Sequence, residues 1–328
     1  MSPGAWDAIG SGALLVPRER HALGIFHGAG AAAVINGLVT NDVAALAPGE
    51  SCYAAALTPK GKVIADLRVL RQADAVMVDV APAAAAGWWD MIRKFVNPRL
   101  ARFEDVSASQ HVIDIAGPRA GHVVTALLPD HAAGRSVGAH VTAPFAGGTI
   151  TALHVRLGDT DLWSLYLPAN LAAEVTAACV SAGAVIGEGT LLEVLRIEAG
   201  RPLWGVDMDD ATLTQEARLD EREAVSYTKG CYTGQETVAR LHFRGHVNRL
   251  LRGVKIPSGN APPRGATLVG EDGSAVGDVR STAHSPRLGA IGLAMVRREV
   301  EPGRRLVARW EDGSQDVEVE VTDLPFPA

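Results

Sequence analysis

A chain of 328 residues with 47% hydrophobic and 21% charged residues has room for two or three domains and carries no low-complexity run, which excludes a mini-protein and a disordered chain. The formal net charge of -6 comes with scattered basic residues, which disfavours direct nucleic-acid binding, and no apolar run approaches the length of a membrane span. Residues 1–16 lack a basic and apolar leader pattern, so a soluble, cytoplasmic protein without membrane contact is expected.

In chain order, Leu23 to Phe26 reads as a strand, followed by the glycine-rich His27-Gly28-Ala29-Gly30 and an apolar helix from Ala31 to Leu38. This resembles a degenerate dinucleotide fingerprint, but Glu50 precedes the next strand, Ser51 to Leu57, where the fingerprint needs an acid ending that strand. The simpler reading is a glycine-loosened helix start. Val63 to Leu70 and Ala75 to Val80 form a hairpin, and Pro82 opens a helix with Trp88, Trp89, Met91 and Ile92 that stops by Asn97-Pro98. Arg99 to Val106 alternates like an edge strand.

The order then repeats: strand His111 to Ala116, helix Arg119 to Leu128, hairpin Ile150 to Arg156 with Leu162 to Leu167, and helix Ala169 to Ser181 after Pro168. The recurrence predicts two related α/β units, residues 1–108 and 109–188. A helix from Thr190 ends at Gly200 with Pro202 beyond it, and Gly205 to Ala224 reads as an acidic, extended loop of the kind that borders sites. From Val247 onward, short apolar runs alternate with turns at Pro257-Ser258-Gly259, Glu271-Asp272-Gly273 and Glu311-Asp312-Gly313, which predicts a small antiparallel barrel or sandwich over 246–328. Residues 189–245 connect the two.

That connection holds the densest chemistry in the chain, Lys229-Gly230-Cys231-Tyr232-Thr233-Gly234-Gln235-Glu236. Thr233 and Glu236 have capping-box spacing, so a helix is expected from Thr233 through Leu241, with Cys231 just before its positive end and Lys229 nearby to favour a thiolate. A packed thiol explains the glycines and the cap equally well. The other cysteines, Cys52 and Cys179, fall in apolar runs, and three widely spaced cysteines form neither a disulfide framework nor a zinc site. His242 and His246 follow closely, but no cysteine-hydrolase signature accompanies them.

The eight residues match the KGCYxGQE signature of the YgfZ family, which has mitochondrial members and is related to the glycine-cleavage T-protein, a tetrahydrofolate-dependent aminomethyltransferase. Gly37 to Val43 resembles the T-protein segment LTTNDV, and Leu195 to Gly205 resembles RLEAGxPLYG. The resemblance implies an α+β fold: two ferredoxin-like α/β units forming a folate-binding core, a C-terminal antiparallel β-barrel, and a ring-like arrangement around a central channel. It implies tetrahydrofolate or a derivative as ligand and iron-sulfur client or assembly proteins as partners.

By the same resemblance Glu198 matches the pterin-binding glutamate, whose carboxylate could accept the ring N-H and amine together. Tyr232, Gln235 and Glu236 join the binding set, Arg240 or Arg244 would take the folate glutamate tail, and Asp66 remains where aminomethyltransferases carry a paired Asp-Asp, the first position here being Ala65. Cys231 with Lys229 is then the reactive centre. A folate-dependent one-carbon transferase using Asp66, and a non-catalytic folate sensor, stay open beside a role in cluster assembly or repair. A single thiolate does not complete a four-ligand cluster site, so further ligands would come from a partner or a second copy.

Overall fold

The computed structural model describes residues 3–311 and 314–327. Helix α1 (Pro3–Ser11) and strand β1 (Leu14–Pro17) lead into the first unit: β2 (Ala22–His27), α2 (Ala31–Asn36), β3 (Ser51–Leu57), β4 (Val63–Arg71), β5 (Ala75–Val80), α3 (Ala85–Phe95) and β6 (Arg102–Asp105). Its sheet has the order β3-β4-β5-β2-β6 and every pairing is antiparallel. Leaving out the edge strand β3, this is the strand order of a ferredoxin-like unit. The two faces of β4 separate by period-2 alternation. Ala65, Leu67 and Val69 pack under α2 and α3 with Phe26, Ile35 and Trp88, while Asp66 and Arg68 project from the helix-free face.

The second unit repeats the scheme with β7 (Gln110–Ala116), α4 (Ala120–Leu127), α5 (Pro129–Ala132), β8 (His140–Phe145), β9 (Gly148–Leu157), β10 (Thr160–Pro168), α6 (Ala172–Ser181) and β11 (Val185–Ile186). Its sheet runs β11-β1-β7-β10-β9-β8, the order of the first unit with one strand inserted. That strand is β1, antiparallel to β7 and parallel to β11. A sequence division at residue 108 assigns Leu14–Pro17 to the first unit, whereas its hydrogen bonds lie in the second sheet. The helix-free faces of both sheets share one core, in which Leu14, Leu23, Leu70, Val112 and Tyr166 are buried together. A fully buried leucine of this kind is stabilised by about 1.5–3 kcal/mol relative to exposure.

Helix α7 (Gly189–Glu198) explains its own broad apolar face: Leu191 and Leu195 enter the core between the sheets, and Ile197 enters a separate cluster with Leu251, Leu293 and Phe326. Beyond it, no helix or strand forms until α8 (Gln235–Arg244), and the intervening loop is held by buried Asp207, Thr212 and Thr214. Strands β12 (Arg249–Ile256), β13 (Thr267–Val269), β14 (Ala275–Ser285), β15 (Gly289–Arg297), β16 (Arg305–Trp310) and β17 (Gln315–Thr322) close a barrel in the order β12-β15-β14-β13-β16-β17. The expected Glu311-Asp312-Gly313 turn falls partly on 312–313, outside the described residues. Among the described residues no helix is long and apolar enough to cross a membrane.

The Gly28-Ala29-Gly30 turn has a packing reason. A Cβ at Gly30 would lie 2.8 Å from the Leu100 carbonyl oxygen, and Gly28 has φ +117 with the same oxygen 3.1 Å away. Close approach of the strand leading into β6 accounts for both glycines.

Candidate functional site

On the helix-free face of the first sheet, Tyr53 of β3 lies opposite Arg68 of β4, and Asp66 is two residues away on the same face. The Tyr53 hydroxyl donates to Asp66 Oδ2 at 2.7 Å, and the other oxygen, Oδ1, is buried with no hydrogen-bond partner among the described residues. Burial raises the Asp66 pKa above the usual carboxylate value, against the lowering effect of the Tyr53 hydrogen bond and the Arg201 charge. An orphaned carboxylate oxygen in a protein interior costs about 1–3 kcal/mol and marks a place where a donor belongs.

Two guanidinium groups flank the same tyrosine, Arg201 with its Cζ 4.7 Å from the ring centroid and Arg68 at 5.3 Å. Burial and the neighbouring Arg201 lower the Arg68 pKa to about 10. Arg222 is close by, donating to the carbonyls of Ala199 and Gly200 at 3.1 and 2.6 Å, and burial lowers it to about 10 as well. Tyr53, Arg68, Arg201 and Arg222 were not singled out as site residues from the sequence. The period-2 spacing of Asp66 and Arg68 on an otherwise apolar strand was the signal available.

Glu198 ends α7 and is buried at 5% exposure, but it faces the barrel. Its Oε1 accepts from Ser285 and its Oε2 from Arg287 Nη2 at 2.6 Å. A pterin carboxylate at this position therefore needs to exchange at least one of these donors for a ligand. Two residues earlier, Arg196 donates to Asp207 Oδ2 at 2.6 Å, and Ser281 donates to Asp207 Oδ1 at 2.6 Å, tying helix, loop and barrel together. Arg196 also accepts the Arg201 amide on its carbonyl and donates to the Arg201 carbonyl, which fixes the backbone beneath the Arg201 side chain.

The KGCYTGQE segment divides into anchors and one exposed thiol. Lys229 is 7% exposed and its ammonium donates to the carbonyls of Asn36, Val39 and Asn41, the last two at 2.8 Å. All three of its protons are thereby committed to the 36–41 loop, and no hydrogen bond among the described residues joins the ammonium to Cys231. Burial pushes its pKa down to about 8, while Asp42 and Cys52 oppose the fall. The ammonium also lies 5.1 Å from the ring centroid of Tyr232, which is buried beside Tyr53, Leu57 and Val238. Burial raises the Tyr232 hydroxyl to about 12.

The expected capping box does not form. Gly234 is the N-cap, with φ +83 and no side-chain capping bond, and α8 begins at Gln235. A Cβ at Gly234 would lie 2.6 Å from the Thr58 carbonyl oxygen, so glycine is required both by conformation and by the approach of this turn to β3. The cap therefore lies one residue later than the Thr233 spacing predicts, and Cys231 stands three residues before it, where the helix dipole has faded. Cys231 is exposed, in contrast to half-buried Cys52 and buried Cys179. Gln235 opens the helix, and Glu236 and Arg240 lie exposed along it with Arg244. His242 stacks on Tyr227 with ring centroids 3.7 Å apart. No hydrogen bond or ion pair among the described residues joins Cys231 to Asp66 or Glu198.

Chemically, the face around Asp66 can accept a donor on Oδ1 and attract negative charge at Arg68 and Arg201, while Cys231 offers an accessible soft sulfur. A tetrahydrofolate molecule fits the first of these, since a buried acceptor beside an aromatic ring suits the N-H groups of a pterin. Bound there, tetrahydrofolate supplies a carrier for one-carbon groups.

A family model described as the GCVT N-terminal domain matches residues 23–228, and one described as the glycine cleavage T-protein C-terminal barrel domain matches residues 249–327. The chain belongs to the glycine cleavage T-protein family. Among its relatives, an aminomethyltransferase of Nostoc is 25% identical over 303 residues, covering 90% of this chain and 77% of its own. A chloroplastic protein of Arabidopsis thaliana that carries a transferase name is 24% identical over 326 residues, 99% of this chain and 73% of its own. The crystal structure of glycine cleavage system aminomethyltransferase T from Bartonella henselae shares the fold, with a TM-score of 0.85 at 20% identity over 99% of this chain and 89% of that one.

Proposed function

We propose that this protein is a YgfZ-type member of the T-protein family: it binds tetrahydrofolate on the face carrying Asp66 and supports assembly or repair of iron-sulfur clusters in client enzymes through Cys231. The observation that carries the reading is the division of labour within residues 229–236. Lys229, Tyr232 and Gly234 each have a packing role, whereas the exposed Cys231 supports nothing in the fold. A free thiol left at the surface is a liability unless its reactivity is used. In this reading Cys231 meets a cluster or sulfur species from a partner that provides the remaining ligands.

Titration of the purified protein with tetrahydrofolate tests the ligand. Binding is expected, and alkylation of Cys231 should leave it unchanged, because no hydrogen bond among the described residues joins the exposed thiol to Asp66. Absence of binding by the untreated protein would remove the folate half of the proposal. A second reading, a folate-dependent one-carbon transferase, is favoured by the unpartnered Asp66 Oδ1 and by relatives named aminomethyltransferases. Turnover of a one-carbon donor that is abolished by Asp66→Asn and insensitive to Cys231→Ala would favour it over cluster assembly.

A further inference from the structure

The Tyr53 face holds more positive charge than its surroundings neutralise. Arg68 and Arg201 both lie within about the cation–π range of one ring, and after burial the Arg201 charge is the next cause that lowers the Arg68 pKa. Neither side chain makes a hydrogen bond, and neither reaches a carboxylate within 4.0 Å, among the described residues. The carboxylates that could answer them are engaged elsewhere. Asp79, directly across the strands from Arg68, accepts from Arg18 at 2.6 Å and from Tyr166 at 2.8 Å, and Asp114 is likewise held by Arg18. Asp66 accepts from Tyr53, and burial disfavours its charged form.

Chain geometry holds this arrangement in place. Arg68 is set by strand pairing on both sides, opposite Tyr53 on β3 and Asp79 on β5. Arg201 is held by two backbone contacts to Arg196, which is itself locked to buried Asp207. Two like charges maintained at one ring by independent parts of the fold are a cost to the free protein. A planar guanidinium fork regains most from a carboxylate or phosphate, which it can meet with two parallel hydrogen bonds.

We infer that Arg68 and Arg201 form an oxyanion-binding pair over Tyr53, taking a carboxylate or phosphate group of a ligand that lies beside Asp66. The group comes either from the glutamate tail of a bound folate or from a separate small anion. The tail source rests on the folate reading; the separate anion does not.

The test is calorimetric titration of the full-length protein, Arg68→Met and Arg201→Met with four probes: tetrahydrofolate, 6-methyltetrahydropterin (which carries no carboxylate), succinate and inorganic phosphate. Each methionine variant should weaken at least one anionic probe by about ten- to hundredfold, the loss expected for a charge-assisted hydrogen bond, and leave 6-methyltetrahydropterin unchanged. A loss confined to tetrahydrofolate assigns the folate tail; a loss for succinate or phosphate assigns a separate anion. Arg201→Lys, which keeps the charge without the fork, should recover part of the binding. Both methionine variants should unfold at or above the wild-type temperature, since a like-charge pair has been removed, so misfolding cannot mimic the result. Equal binding of all anionic probes to wild type and variants, or binding of none at millimolar concentration, overturns the inference. If tetrahydrofolate fails to bind even the wild type, the folate reading falls while succinate and phosphate still decide the pair.

Discussion

The segment 229–236 and the face around Tyr53 are both rich in polar groups, yet they are built in opposite ways. In the first, polar groups are satisfied by the chain: the Lys229 ammonium has three carbonyl acceptors, and Tyr232 is packed on Val238 and Leu57. In the second, Asp66 Oδ1 has no partner and two guanidinium groups crowd one ring. Dense chemistry in a sequence motif can thus serve the scaffold, and the proposed function rests on the one residue, Cys231, that the scaffold does not use. Groups left unsatisfied in a folded interior point instead to a ligand.

The largest way to break this contrast is at Lys229. Lys229→Met strands three carbonyls of the 36–41 loop, and should destabilise the protein by about 3 kcal/mol or more, seen as a lower denaturant midpoint. Unchanged stability would mean that the lysine is free to act on Cys231. Gly234→Ala comes next, at about 2 kcal/mol, because the new Cβ meets both a left-handed backbone and the Thr58 carbonyl. Its thermal unfolding should show the loss without any change in the thiol's accessibility to a maleimide.

Asp66→Asn should act in the other direction, raising stability by about 1 kcal/mol at neutral pH. The folded pKa of Asp66 lies above its unfolded value, so its favourable contribution is complete below the ordinary carboxylate range and is lost as pH rises through the raised folded value. The asparagine variant should lack that decline, and unfolding midpoints across pH 3 to 7, the window named by about the ordinary carboxylate pKa and the neutral range, provide the check. Smallest is Cys231→Ala: an exposed side chain without a structural role should change stability by less than about 0.5 kcal/mol. A larger loss would place the thiol among the anchors.

Those features that depend on short-range pattern were legible in the sequence. The Asp-Gly turns and alternating runs after Val247 gave a barrel, and the repeated strand and helix order gave two related units, both present in the structure. Features set by distant partners were not. Strand β1 is only four residues long, and its place in the second sheet depends on β7 and β11. The acceptors of Lys229 lie about 190 residues earlier in the chain, as the 190-residue separation to Val39 shows, so nothing near the motif reveals that its ammonium is buried. The Thr233 to Glu236 spacing predicted a cap, but local spacing yields to tertiary approach where Gly234 meets Thr58.

For the site, Asp66, Glu198 and Cys231 stood out by residue type and resemblance, whereas Arg68 and Arg201 looked like ordinary strand and loop charges. Only the fold brings them to the same ring. Glu198 also gained an unforeseen neighbour, since Arg287 comes from the turn after β14.

In the proposed function, Cys231 carries the chemistry while the rest of its motif carries the fold. Cells lacking this protein, supplied with either the wild-type chain or Cys231→Ala, measure it through the activity of an iron-sulfur enzyme. The claim predicts that Cys231→Ala accumulates to the wild-type level and binds tetrahydrofolate normally, yet fails to restore that activity. Full restoration by the alanine variant would contradict it.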